Sequence, residues 1–281
     1  MANRRAAVTE KWINKRIKDG YGQGTGENYK PWLKVQDFSS LGRVHRIKGW
    51  KHGRVHHLFS DLERNIFLYY EWSPHVSDIR EQFPLLPVEE TVEIAAEIGV
   101  RHPIDSNTKH PIVLTTDFLL TVENGLKVTF CPRPVKYLED MEKPRVREKL
   151  EIERRYWLSR QLNCKPVTEE HVSDSFVRNM LWVHPHYKLV DLYPLTELEV
   201  NRIAKLLTWL VLNEDLALHE VVRKCDRILK LEVGTGMAVV RHMMAKRFWV
   251  VNMNSRIRTR ERLALLNTPM GQVYPARRHV A

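Results

Sequence analysis

The chain has 281 residues, enough for one large domain or two modest ones, and its 43% hydrophobic content excludes a disordered polymer. Forty-five Lys and Arg against 34 Asp and Glu give a formal net charge of +11, a balance that favours polyanionic partners, nucleic acid foremost. No apolar run is long enough to span a bilayer and the N-terminus MANRRAAVTEKW lacks a signal-peptide core, so no membrane partner is expected.

Val8, Trp12, Ile13 and Ile17 fall near helical spacing, so 8–19 reads as a short amphipathic helix. GYGQGTGENYKPW follows. No apolar strand precedes it and no Gly-Lys-Ser/Thr closes it, so it is a flexible loop able to lie along a DNA backbone, not a phosphate loop. Residues 40–57, SLGRVHRIKGWKHGRVHH, place two strand-like pieces around a turn. They carry Arg43, His45, Arg46, Lys48, Lys51, Arg54, His56 and His57, the candidate nucleic-acid contacts. Alternating Arg, His and Lys marks a phosphate-facing or solvated ribbon, and a metal cluster is the less favoured alternative.

SDLERNIFLYYEW, 60–72, is predicted helical, with Ser60 as N-cap and Leu62, Ile66, Tyr69 and Tyr70 as the apolar stripe. Glu63 stands three residues after the cap, where a capping box would use it. HVSDIREQFPLLP runs from an extended segment into a proline-bounded loop, 89–99 reads as a helix, and PIDSNTKHP as a loop. Residues 112–134 form a hairpin, with Asn124-Gly125 signalling a type I′ turn. A long charged helix is expected over 143–162, burying Leu150, Ile152, Trp157 and Leu158, and NCKPVT is a short closing strand. The order is α/β.

From residue 170 two or three helices crowd together, followed by a helix at 236–246 and an extended apolar strand. That order suggests a winged-helix-like second domain. The basic tail, from RIRTRERL to PARRHVA, is expected to be mobile. Cys131, Cys164 and Cys225, odd in number and far apart, exclude a zinc ribbon and a disulfide framework and fit a reducing cytosol.

Cleavage of a phosphodiester with a divalent metal needs hard oxygen ligands and a positive group near the scissile phosphate. Asp117 stands early in the hairpin, and strand alternation puts Lys127, Thr129, Cys131 and Arg133 on one face of its second strand. Cys131 and Arg133 are therefore the pair expected to face a metal, although sulfur is a poor Mg²⁺ ligand. Glu151 and Glu153 on the next helix could reach the same site or form solvated pairs.

The loop GYGQGTGENYKPWL, then GRVHRIKGWKHGRVHHLFSDLE, EWSPHVSDIREQFPLLP, TTDFLL and EKLEIERRYW, occur in an order that resembles the TnsA family. These are subunits of heteromeric cut-and-paste transposases with a restriction-endonuclease-like PD-(D/E)xK fold. The resemblance covers most of residues 15–160, and the second half is similar only in general character. It implies a restriction-endonuclease-like α/β domain over 1–169 and a mainly helical, winged-helix-like domain over 170–281 that meets partners and DNA. It also implies a prokaryotic, cytoplasmic endonuclease that cuts the 5′ strands at transposon ends. A TnsB-like integrase-fold transposase would cut the 3′ ends, and a TnsC-like AAA+ ATPase would regulate both.

By motif, Glu63 and Asp117 match the family's Mg²⁺ ligands, with Mn²⁺ as a substitute metal. Where the family has Gln-x-Lys followed by Pro, this chain offers Cys131-Pro132-Arg133-Pro134. Arg133, or Lys136 three residues on, would then supply the positive charge, and Cys131 would stand at the metal. Two rivals follow: a catalytically silent subunit for DNA binding and assembly, and a stand-alone restriction-type nuclease.

Overall fold

The chain divides into the units Met1–Val172 and Ser173–Ala281, each with buried apolar residues of its own. The computed structural model describes residues 7–37 and 43–266. The start of the basic ribbon segment, 40–42, and the end of the basic tail therefore lie outside the described residues.

In the first unit, α1 (Glu10–Lys18) begins at Thr9, whose hydroxyl accepts the Trp12 N–H at 3.1 Å. Ile13 packs with Trp32, Val88 and Val113. The glycine loop is ordered rather than flexible: Gly22 N–H donates to Lys30 O at 2.6 Å and Lys30 N–H to Gln23 O at 3.1 Å. Gly22 has φ +76° and lies so close to Pro84 that a Cβ would meet the ring at 2.3 Å, so only glycine fits. The ribbon forms as expected, β1 (His45–Lys48) pairing antiparallel with β2 (Val55–Leu58).

Helix α2 (Asp61–Trp72) buries Leu62, Ile66, Phe67, Leu68 and Tyr70, while Tyr69 turns outward. A sheet of order β3-β4-β5 follows, built from β3 (Val76–Pro84), β4 (Thr115–Asn124) and β5 (Lys127–Arg133), all antiparallel. Strand β3 carries HVSDIREQFP well beyond the short extended piece its sequence suggests. Asp78, Arg80, Glu81 and Gln82 are buried within it, so no alternation of polar and apolar residues betrays the strand. Between β3 and β4 lies α3 (Val88–Glu97).

The hairpin turn is Gly125-Leu126, because Asn124 still pairs with Lys127. Gly125 alone of the two has positive φ, +61°, which is the type II′ pattern rather than I′. Helix α4 (Pro144–Leu158) buries Ile152, Tyr156 and Trp157, and leaves Leu158 exposed against expectation. The expected closing strand is a single parallel bridge, Val135 to Val167.

The second unit holds α5 (Asp174–Val183), α6 (Glu197–Asn213), α7 (Leu218–Leu229) and α8 (Thr235–Ala245). Met180, Ile203, Leu207, Leu210, Val239, Met243 and Trp249 fill its core, each large aliphatic contributing about 1.5–3 kcal/mol. Trp249 Nε1 donates to Thr208 Oγ1 at 3.0 Å, which satisfies the buried indole. The region is mainly helical as expected, but among the described residues the apolar stretch after α8 joins no sheet.

Candidate active site

Strand parity decides which cation meets Asp117. Cross-strand partners share a face, and the register pairs Phe118 with Arg133 and Leu120 with Cys131. Both residues therefore lie on the face opposite Asp117, which corrects the sequence expectation for the pair. The Arg133 guanidinium donates instead to the carbonyls of Pro132 at 2.8 Å and Asn163 at 3.0 Å.

Pro132 pairs with Leu119 on the Asp117 face, and the same parity carries forward to Pro134 and Lys136. Pro134 does not break the extended run, because the group it contributes is a carbonyl. Val167 N–H donates to Pro134 O at 2.8 Å, and Lys136 N–H to Val167 O at 3.1 Å. Held this way, Val135 N–H reaches Asp117 Oδ2 at 2.6 Å and Lys136 Nζ reaches the same oxygen at 2.8 Å.

Two further carboxylates surround this pair. Glu63 sits in the first turn of α2, where its N–H donates to Ser60 Oγ at 3.0 Å. Its Oε2 accepts Phe59 N–H at 2.9 Å and Gln82 Nε2 at 3.4 Å. The capping function and a place in the cluster thus coexist in one side chain. Gln82 is held in turn by Thr115 Oγ1, which donates to its Oε1 at 3.1 Å.

Glu153 of α4 is buried and accepts from Thr116 Oγ1 at 2.6 Å, while Trp157 Nε1 donates to that same hydroxyl at 2.7 Å. Burial, reinforced by the charge of Asp117, pushes the Glu63 carboxyl up to about 8 and the Glu153 carboxyl likewise up to about 8. Burial works against the Lys136 ammonium, but Asp117, with Glu153 and Glu63 behind it, carries it above the usual lysine range. Lys136 balances Asp117 alone, so ionisation of Glu63 or Glu153 as pH approaches 8 would leave negative charge for a further cation to offset. Glu151, two residues from Glu153, faces outward and pairs with Arg154 at 2.7 Å and Arg155 at 2.8 Å.

Among the described residues no three acidic, histidine or cysteine side chains close into a ready-made metal cage. The donors are all oxygen, which fits Mg²⁺, an ion commonly held by one or two carboxylates with water and phosphate completing its shell.

The family profile for the TnsA-like endonuclease N terminal matches residues 73–169, and that for the TnsA endonuclease C terminal matches residues 171–253. The transposon Tn7 transposition protein TnsA of Escherichia coli is 38% identical over 265 residues, covering 92% of this chain and 92% of its own. The chain belongs to the TnsA endonuclease family. Asp117, Lys136 and Glu153 fall inside the first matched range of this TnsA-family chain, and Glu63 just before it. The triplet whose lysine meets Asp117 is Pro134-Val135-Lys136, which puts a proline, without side-chain oxygen, where the resemblance leads one to expect glutamine.

The ribbon of the TnsA-family chain meets protein more than solvent. Glu81, fully buried on β3, accepts from Arg54 through both oxygens, at 2.8 Å from Nη1 and 2.5 Å from Nη2, and from His56 Nδ1 at 2.9 Å. Burial alone would raise Glu81, but His56 and Arg54 hold it far below the ordinary carboxylate range. His57 is buried as well, accepting Val35 N–H at 3.3 Å. All three side chains are engaged within the protein, where the sequence led one to expect a phosphate-facing ribbon, and the Arg54 charge is drawn into a buried pair.

His45 and Arg43 turn toward Asp61, at 2.7 and 3.9 Å, and Lys51 Nζ donates to Ser73 O at 2.9 Å beyond the end of α2. Of the eight candidates, Arg43, Arg46 and Lys48 stand exposed, and among the described residues Arg46 and Lys48 have no ion-pair partner.

Proposed function

We propose that this protein is the metal-dependent endonuclease subunit of a cut-and-paste transposase, cleaving the 5′ strands at transposon ends beside a TnsB-like transposase and under a TnsC-like ATPase. The observation that carries this reading is the cluster of Glu63, Asp117, Glu153 and Lys136, in which two carboxyls are driven to about 8 around one ammonium. Glu63 and Asp117 would hold Mg²⁺, with Mn²⁺ as substitute. When bound, the ion lowers the pKa of its water and offsets phosphate charge.

Lys136 is held protonated, so it serves as a fixed positive charge beside the scissile phosphate and not as a base. A glutamate near 8 is suited to take a proton from the attacking water, and Glu153, fixed by Thr116, is the carboxylate positioned for it. Trp157, buried behind Thr116, holds that hydroxyl in place from the inner side.

The test is strand-resolved cleavage of a labelled end duplex with Mg²⁺ and the partner transposase present. Nicking of the 5′ strand that disappears in Asp117→Ala, with complex assembly retained, supports the reading. Absence of nicking by the parent protein with either metal sinks it. One observation favours the rival, a silent assembly subunit: Pro134 removes a side-chain oxygen from the third motif.

A further inference from the structure

The second unit carries a basic site of its own. Residues 253–261 belong to no ladder, yet backbone contacts fix them. Buried Asn179 of α5 donates its amide to Met253 O at 2.9 Å and Ser255 O at 2.8 Å, and accepts Ile257 N–H at 3.1 Å. The first two N–H groups of α7, which have no partner inside their own helix, donate to the same segment. Leu218 N–H reaches Glu261 O at 2.9 Å and His219 N–H reaches Thr259 O at 2.8 Å. The part of the basic tail expected to be mobile is thus tied down from Arg256 to Glu261.

The consequence is an alternation. Ile257 and Thr259 are half-buried, while Arg256, Arg258 and Arg260 are exposed. With Arg178 of α5 they line a cleft of about 540 Å³ beside Trp182. Arg178 pairs with Asp174 at 2.7 Å and Arg258 with Glu261 at 2.9 Å, whereas Arg256 and Arg260 have no ion-pair partner among the described residues. Arg256, Arg258 and Arg260 project from one short run of chain, and with two of them unpaired their positive charge concentrates at this surface. A backbone already fixed by hydrogen bonds loses little freedom on binding. Guanidinium forks suit phosphate oxygens, and a row of them suits a row of phosphates rather than a single one.

We propose that Arg256, Arg258 and Arg260, with Arg178, form a phosphate-binding comb that holds the backbone of duplex DNA on the second unit. This deepens the endonuclease reading, on which the choice of DNA rests, and assigns the contact to residues outside the carboxylate cluster.

The experiment measures binding of the full chain to a labelled duplex of arbitrary sequence by fluorescence anisotropy over a series of salt concentrations. Three proteins are compared: the parent, the triple variant R256A/R258A/R260A, and the triple variant R256K/R258K/R260K. Each phosphate contact contributes about 0.9 to the slope of log K against log salt, so the alanine variant is expected to lose about 2–3 of slope. Its affinity should fall by a similar factor on unrelated sequences. The lysine variant should keep most of the slope, which separates charge from folding.

An unchanged slope in the alanine variant, with a parent that binds DNA, overturns the comb and leaves the nuclease reading standing. Equal loss in the lysine variant overturns it too, by showing a structural role. A parent with no affinity for DNA at low salt overturns both. Parent binding without nicking counts against the nuclease alone.

Discussion

Asp117 accepts two hydrogen bonds on one oxygen, from Val135 N–H at 2.6 Å and Lys136 Nζ at 2.8 Å, and that geometry separates two arginine-or-lysine candidates three positions apart. Lys136→Ala is expected to lower 5′-strand nicking about 10²–10³-fold, the usual cost of removing one pre-placed charge stabiliser. Arg133→Ala, which frees only two backbone carbonyls, should stay within a few-fold. Equal losses in single-turnover rates would return Arg133 to the site. Asp117 was legible from its place early in a hairpin, but the cation was not, since Pro134 reads as a strand end until Val167 is seen to use its carbonyl. Glu153 was obscured by its neighbour Glu151. The available signal was spacing: Glu153 stands three and four residues before Tyr156 and Trp157, on the buried stripe, while Glu151 stands three and four before Arg154 and Arg155. A pH test follows. Glu153 is raised to about 8 in the folded chain from an ordinary value of 4.5, so the unfolded chain releases its proton first. The resulting penalty is nil below the ordinary value, grows as pH rises toward 8, and is level above that. Glu153→Gln cannot ionise and should therefore gain on the parent, metal-free, by about 2–4 kcal/mol between pH 5 and 8. Urea unfolding at several pH values checks this, and a gap that does not change with pH would count against it.

At the scale of elements, a buried ion pair and the hydrogen bonds around it join the β1-β2 ribbon to β3. Arg54 and His56 of the ribbon segment converge on Glu81, and His57 N–H adds a third donor at 3.2 Å. Glu81→Ala leaves a guanidinium buried without its carboxylate, so a loss of about 3–5 kcal/mol is expected. Equilibrium urea denaturation measures it, and a loss below about 1 kcal/mol would mean that the ribbon is held by its apolar contacts instead. The ribbon, the hairpin and the helices were visible in the sequence because each shows its own period. Strand β3 was not, since polar side chains satisfied by partners occupy both of its faces, and hydropathy cannot register an ion pair. The turn was located one residue early for a related reason: Asn-Gly is a strong local signal, but the register is set by the face that β4 must bury.

For the whole molecule, charge has opposite signs at two scales. A net charge of +11 should repel divalent cations, while Glu63, Asp117 and Glu153 around Lys136 become a locally anionic pocket as pH approaches 8 and should then attract one. Composition could reveal the first and not the second, because a site of four side chains drawn from α2, β4, α4 and the run after β5 exists only after folding. The two scales make separable predictions. Ligand that binds the folded chain alone stabilises it by RT ln(1 + [L]/Kd), so millimolar Mg²⁺ should raise the melting temperature of the parent by several degrees near pH 8, where the carboxyls are giving up their protons. The rise should shrink at pH 6, where protons compete for the same oxygens, since Glu63 and Glu153 stay protonated to about 8 without metal. Asp117→Asn should abolish the Mg²⁺ effect while leaving the salt-dependent attraction of DNA to the basic surface unchanged. NaCl at matched ionic strength should not reproduce the Mg²⁺ shift, because screening acts on the whole surface and not on one cluster. A shift of equal size in the parent and in Asp117→Asn would place the divalent ion elsewhere on the molecule and take the carboxylate cluster out of the chemistry.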